Sequence, residues 1–237
     1  MKMKPYLFAA TALLSALPLV SAGDITGKIT LKGTAPAPQD GTANMKSADP
    51  KCTRDTPLMT RVYVVGTGGG LADVVISIKD GLDGKSFEPP AAPFVIDQKG
   101  CEYLPYVGAV QASQKVIVKN SDQTLHNVNV QPAVAGNPAS NKAQIAGGAP
   151  FEYAFPKAEE FLKFACNVHP WMSAYLSVFS HPFFAVSKED GTFTIKNVPP
   201  GTYTIEAVHR RVGRISQKVT VGADGAKADM TLAMPAP

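Results

Sequence analysis

The chain predicts an all-β protein made of two β-sandwiches, on three observations. Short runs of alternating apolar and polar residues recur along its length, clusters of Gly, Pro, Asn and Asp punctuate them, and no stretch past the first two dozen residues sustains a 3.6-residue period. With 237 residues, 45% hydrophobic and 18% charged, the chain can bury one or two ordinary cores.

Met1 to Ala22 carries Lys2 and Lys4, an apolar run from Tyr6 to Val20, and then Val20-Ser21-Ala22. That order of charged, apolar and small residues predicts a secretory signal cleaved near Ala22, and so a soluble periplasmic or secreted protein. No later apolar run is long enough to predict a membrane span. Removing Lys2 and Lys4 with the leader lowers the formal charge from +4 to +2. A nearly neutral chain without a basic cluster gives no footprint for nucleic acid or for an anionic membrane surface.

Ile25, Ile29 and Leu31 alternate with Thr26, Lys28, Thr30 and Lys32, which predicts a half-buried strand. Gly33 to Pro57 has no period and reads as a long surface excursion pinned at Cys52. Strands follow over Val62 to Val65, Asp73 to Ile78, Phe94 to Ile96 and Lys115 to Lys119. Gln131 to Pro150 reads as a mobile loop, and Phe151, Tyr153 and Phe155 as the strand after it. Pro156 to Glu160 has room for one helical turn, and Ser173 to Phe179 is the closing strand. Beyond it, Phe183 to Val186 and Thr192 to Ile195 read as a hairpin. Thr202 to His209, Ser216 to Val221 and Ala228 to Leu232 continue the strand pattern. The expected division is a leader (1–22), an N-terminal strand with its long loop (23–58), a first sandwich (59–180) and a second (181–237).

The chemistry concentrates in Phe164-Ala165-Cys166-Asn167-Val168-His169-Pro170-Trp171-Met172. Its Cys-x2-His-x2-Met spacing brings together a thiolate, an imidazole and a thioether; with a second His, these are the ligands of an electron-transfer copper site. His126 supplies that second imidazole. It shares strand parity with Val128 and Val130, as Cys166 does with Leu162 and Phe164, so both ligands are expected to point into one apolar interior. Zinc fits less well, because a thioether is a poor fourth ligand for it. Taken one at a time, Cys166 reads equally as a small buried hydrophobe and Met172 as core filler. With Cys166 on the metal, Cys52 and Cys101 are left to pair. In an oxidising compartment they are expected to form a disulfide closing a loop of about 50 residues, worth about 4 kcal/mol. His181 and His209 read either as a second metal site or as ordinary imidazoles at the junction, Tyr103 and Tyr106 either as relays or as packing.

Asn-x-Asp followed by His126-Asn127-Val128, and then Phe164-x-Cys166-x2-His169-Pro170-x-Met172, resembles the cupredoxins, and the short ligand loop is most similar to that of amicyanin. The resemblance covers roughly 61–180. It implies a Greek-key sandwich with one mononuclear type 1 (blue) copper ion on His126, Cys166, His169 and Met172, alternating between Cu(I) and Cu(II). It also implies that Asn127 ties the two ligand segments together and that His169 lies near the surface as the electron port. Trp171 beside it is either part of a docking face or a packing wedge. The tail, Asp190-Gly191-x-Phe193 with Val198-Pro199-Pro200-Gly201-x-Tyr203, resembles the carboxypeptidase regulatory-like, Ig-like sandwich. In that module the first strand reads like Ile25 to Thr30, which implies either a discontinuous second domain or a tandem pair.

The expected function is therefore periplasmic electron transfer without catalysis, serving an unidentified redox protein or enzyme. Copper delivery or tolerance is the alternative, as is a carbohydrate- or partner-binding module with structural copper. No His-x-His pair serves a multinuclear oxidase centre, and Gly68-Gly69-Gly70 lacks the Lys and helix of a phosphate loop.

Overall fold

The computed structural model describes residues 21–236, so the predicted leader lies outside the described residues apart from Ser21 and Ala22. The strands are β1 (Gly23–Lys32), β2 (Val75–Asp80), β3 (Phe94–Gln98), β4 (Tyr103–Leu104), β5 (Val107–Gln111), β6 (Val116–Asn120), β7 (His126–Gln131), β8 (Ser140–Gln144) and β9 (Phe151–Tyr153). They continue as β10 (Glu159–Ala165), β11 (Ser173–Phe179), β12 (Phe184–Val186), β13 (Thr192–Val198), β14 (Gly201–His209), β15 (Gly213–Val221), β16 (Ala226–Lys227) and β17 (Met230–Ala233). One short helix, α1 (Thr42–Ala48), lies in the segment after β1. The protein is all-β and forms two sandwiches, each closing on its own apolar core.

The first sandwich packs the sheet β5-β11-β10-β7-β8 against β4-β3-β6-β9. Alternation makes its core: Val116 and Val118 from β6, Val128 and Val130 from β7, and Leu162 and Phe164 from β10 all point inward. The second packs β13-β1-β16, with β17 also on β1, against β12-β2-β14-β15. Ile25 and Ile29 of β1 are fully buried there among Ile76, Ile195 and Ile205. Gly27 sits between them because a Cβ at that point would collide with the Ala228 carbonyl oxygen.

Several sequence expectations differ from this arrangement. Strand β2 falls inside 59–180 yet pairs with β12 and β14 of the second sandwich, so the first sandwich's strands run only from β3 to β11. Apolar alternation marks a half-buried strand but does not say which sheet buries it. The Phe183 to Ile195 segment is not a hairpin. β12 joins β2 and β13 joins β1, on opposite sheets, because Ser187 turns the chain there: its Oγ donates to the Leu71 carbonyl at 2.7 Å and accepts the Val74 N–H at 3.0 Å. Gln131 to Pro150 contains β8, a polar edge strand whose Ser-Asn-Lys-Ala-Gln has no apolar face to announce it.

The Gly33 to Pro57 excursion folds back onto the first sandwich. Asp40 accepts the Thr42 N–H at 2.8 Å at the start of α1, and the helix drives Met45, fully buried, into the core. The disulfide Cys52–Cys101 joins this segment to the turn after β3. Contacts that fasten the sandwiches together are Arg214 to Glu160 (3.0 Å), Arg210 to the Tyr106 hydroxyl (2.8 Å), and Arg210 stacked 3.8 Å from the Tyr175 ring.

Candidate metal centre

The turn before β7 is polar because it has to hold a carboxylate. The Asn120 Oδ1 accepts the Asp122 N–H at 3.0 Å, and the Asn120 Nδ2 donates to the carbonyls of Thr124 (2.9 Å) and Gln144 (3.0 Å). Asp122 in turn accepts the N–H groups of Gly100 (2.6 Å) and Cys101 (2.8 Å) and meets His126 Nε2 at 2.9 Å. Burial opposes its ionisation, but His126 and the two amides hold its carboxyl below the usual range.

The second segment leaves β10 at Ala165 and turns back at once. The Met172 N–H donates to the His169 carbonyl (2.9 Å) and the Cys166 N–H to the Met172 carbonyl (3.2 Å), which pinches Cys166, His169 and Met172 into one loop. Asn127 stitches that loop to β7: its Oδ1 accepts the N–H groups of Asn167 and Val168. The Tyr103 hydroxyl donates to the Asn127 carbonyl at 2.6 Å and lies 3.3 Å from that of Ala165, so it too bridges both ligand segments. Burial pushes its ionisation far above the ordinary range.

These elements bring Cys166, His126 and His169 together as a buried triad in which one ring nitrogen of each His and the sulfur lie within 4.8 Å of one another. The two Nδ1 atoms are 2.9 Å apart, and His169 Nδ1 is 3.8 Å from Cys166 Sγ. The opposite edge of each ring meets a carboxylate, His126 at Asp122 and His169 at Asp49 (3.1 Å). An acceptor at both Nε2 atoms assigns the hydrogen to Nε2 and leaves both Nδ1 lone pairs converging beside the sulfur. Two facing lone pairs need a cation between them. Despite burial, Asp122 and Cys166 raise His126 to about 9, while burial and the charge on His126 lower His169. Burial likewise disfavours the Cys166 thiolate, yet His126 and the N–H groups of Asn127, His169 and Val168 outweigh it and lower the thiol. The Asn127 and His169 amides reach the sulfur at 3.5 and 3.4 Å. A thiolate-prone sulfur and two neutral imidazole nitrogens are the donors that suit copper. Met172, 1% exposed, sits at the end of the same loop.

His169 is the main departure from expectation. It is 2% exposed, covered by Asp49 and by Trp171, whose ring lies 5.1 Å away. Trp171 donates its indole N–H to the Cys101 carbonyl at 3.1 Å, so it wedges the loop against the disulfide turn. Asp49 itself is gripped by the Thr124 hydroxyl at 2.7 Å. Two further acid-containing groupings, Asp49–Cys52–His169 and Cys101–Asp122–His126, are not additional metal sites, because their sulfurs are joined in the disulfide.

His181 and His209 do not form a second site. Neither belongs to a metal-ligating cluster among the described residues, and backbone groups occupy both nitrogens of His181 and Nδ1 of His209. His181 donates to the Ile78 carbonyl (2.8 Å) and accepts the Phe183 N–H; His209 accepts the N–H groups of Arg211 and Val212 and stacks on Tyr63. Sequence reasoning missed Asp49 and Asp122. The Asn-Ser-Asp run four residues before His126 is a readable signal for the second of these, whereas Asp49 lies 120 residues from the imidazole it meets.

No family profile matches the chain, and no curated protein matches it in sequence. Among solved structures it is similar to a Cu-containing nitrite reductase from Thermus scotoductus, at 21% identity and TM-score 0.34 over 43% of this chain; the match spans 25% of the reductase. It is similar to a purple cupredoxin from Nitrosopumilus maritimus, at 20% identity and TM-score 0.30 over 36% of this chain and 98% of that one. A Cu(I) amicyanin variant matches at 20% identity and TM-score 0.33, over 44% of this chain and 97% of its own. No helix of the described residues is long and apolar enough to cross a membrane.

Proposed function

We propose that the protein is a one-electron carrier with a single type 1 copper ion held by His126, Cys166, His169 and Met172. The observation that carries this reading is the convergence of both Nδ1 lone pairs and the Cys166 sulfur in one buried pocket, with each outer ring edge anchored to a carboxylate. Copper there would supply a centre that gains and loses one electron without bond-making. The chain's own part is to hold the donors still. Asp122 and Asp49 fix the two rings, Asn127 and Tyr103 lock the ligand loop to β7, and two backbone N–H groups steady the sulfur. A site that need not rearrange when its charge changes suits electron transfer, and the protein acts as no enzyme on this reading.

The closure of His169 under Asp49 favours retention of the ion over hand-off, which weighs against a role in copper delivery or tolerance. It also moves the electron route away from a bare His169 edge, toward the Trp171 and Met172 side. The partner is a periplasmic redox protein or enzyme, met through a small transient interface. The second sandwich, read as the carboxypeptidase regulatory-like module, orients that encounter.

The test is the visible spectrum of the exported protein after Cu(II) addition, beside a Cys166→Ser variant. An intense thiolate-to-copper band that vanishes in the variant is the expected result. A colourless protein that still binds Cu(I) stoichiometrically would return the cargo reading, and no copper binding would defeat the proposal.

A further inference from the structure

Where the sandwiches meet, a cleft of about 310 Å³ opens beside the loop that carries Met172, which lines one side of it. Trp171, Tyr106 and Tyr175 give it aromatic walls, and Arg61, Arg210 and Arg211 bring three guanidinium groups to it. Charge is not balanced there. The cleft's one carboxylate, Glu102, is neutralised by Arg54 at 2.6 Å, and Arg61 is paired with Asp73 at 3.3 Å. Arg210 and Arg211 have no carboxylate within ion-pair distance among the described residues. Stacking on Tyr175 and a bond to the Tyr106 hydroxyl hold Arg210 in place and leave most of its five N–H donors unspent.

A fixed cationic group without a carboxylate partner and flat aromatic walls together specify a ligand that is anionic at one end and planar at the other. The cleft, of about 310 Å³, falls at the low end of the roughly 300–1,000 Å³ range of small-molecule sites and has room for a ligand built on a single ring. We propose that this cleft binds a small aromatic carboxylate of about benzoate size, with its carboxylate on Arg210 and Arg211 and its ring against the aromatic walls. A guanidinium fork matches a carboxylate in two-point contact, and an aromatic face adds to the affinity only for a ligand that carries a ring. The inference needs no metal in the centre, although Met172 of the same loop lines the cleft.

Trp171 is the only tryptophan, so its emission reports on the cleft directly. Sodium benzoate is titrated into the full chain at neutral pH and constant ionic strength, alongside benzyl alcohol and inorganic phosphate, with calorimetry as a second readout. The expected result is saturable binding of benzoate, at least about tenfold tighter than either control. Arg211→Ala, a change at an exposed side chain, is expected to weaken benzoate about fivefold or more with no change in thermal midpoint, and Arg211→Lys to restore part of the loss. Four outcomes would each overturn the proposal: benzoate that never saturates, benzyl alcohol that binds equally, phosphate that binds equally, or an Arg211→Ala variant with unchanged affinity.

Discussion

Replacing Asp49 by Ala isolates the clasp that closes the metal centre. The carboxylate accepts from the Thr124 hydroxyl at 2.7 Å, from the Lys51 N–H at 2.8 Å, and meets His169 Nε2 at 3.1 Å. Thr124 is the largest reason its carboxyl is held below the ordinary range, with burial opposing and Lys51 and His169 assisting. A hydrogen bond to a charged group contributes about 1.5–3 kcal/mol and a neutral one about 1. The Asp49 side chain is 19% exposed, so water replaces part of what is lost. The expected cost to the metal-free chain is about 2 kcal/mol, or a fall of about 4–8 °C in thermal midpoint for a chain of this size. Denaturant unfolding of the wild type, Asp49→Ala, Thr124→Ala and the double variant gives the coupling between the two side chains, expected at about 1 kcal/mol. In the copper-loaded protein the same variant should raise the reduction potential, because a negative charge that favours Cu(II) is gone, and speed electron exchange with small soluble oxidants by baring His169. A stability loss under about 0.5 kcal/mol with no coupling, and an unchanged potential, would refute the idea that Asp49 clasps the site.

Tyr103→Phe deletes the hydroxyl that spans the Asn127 and Ala165 carbonyls and should cost about 1–2 kcal/mol. The loss should be accompanied by a broadened copper spectrum, checked by denaturation and absorption. His209 is held down to about 4 by burial and by Arg210, below its ordinary value near 6.5. Its neutral ring therefore stabilises the fold fully above about pH 6.5, and that contribution, about 3 kcal/mol at most, is lost as pH falls through about 4. His209→Gln should flatten the decline of thermal midpoint across that window. Gly27→Ala drives a methyl group into the Ala228 carbonyl and to 2.8 Å from the Phe193 ring. A loss of about 3 kcal/mol, seen in the unfolding midpoint, is the expected result.

Local pattern made much of this legible. The parity of His126 with Val128 and Val130, and of Cys166 with Leu162 and Phe164, points these two side chains inward because side-chain direction in a strand is a two-residue period. The Cys52–Cys101 pair follows from counting, once Cys166 has another task. The groups that tune the site were harder to read. Asp49 reaches His169 only because α1 docks Met45 and the disulfide holds the segment down, and seven helical residues with one buried side chain carry no period. For the same reason the port implied at His169 is covered: a resemblance restricted to 61–180 says nothing of the chain that precedes it. The assignment of β2 to the first sandwich failed because an alternating strand looks the same whichever sheet receives it.

The pairing of β1 bears on the order of assembly. Its partners, β13 and β17, lie far downstream; Ile29 pairs with Met230 and Gly27 with Phe193. During synthesis at roughly 5–20 residues per second, β1 would wait on the order of ten seconds or more for them, with both its edges unmet. All the strands of the first sandwich precede β13 in the chain, and the disulfide, which forms in an oxidising compartment, ties the tail of β1's own segment to them. The first sandwich therefore has all its strands before the partners of β1 arrive, and can pack α1 and the disulfide-bearing segment without waiting for the second. Lys28 and Lys32 on β1 discourage strand-to-strand aggregation meanwhile, a charge at the edge being a common guard against misplaced pairing.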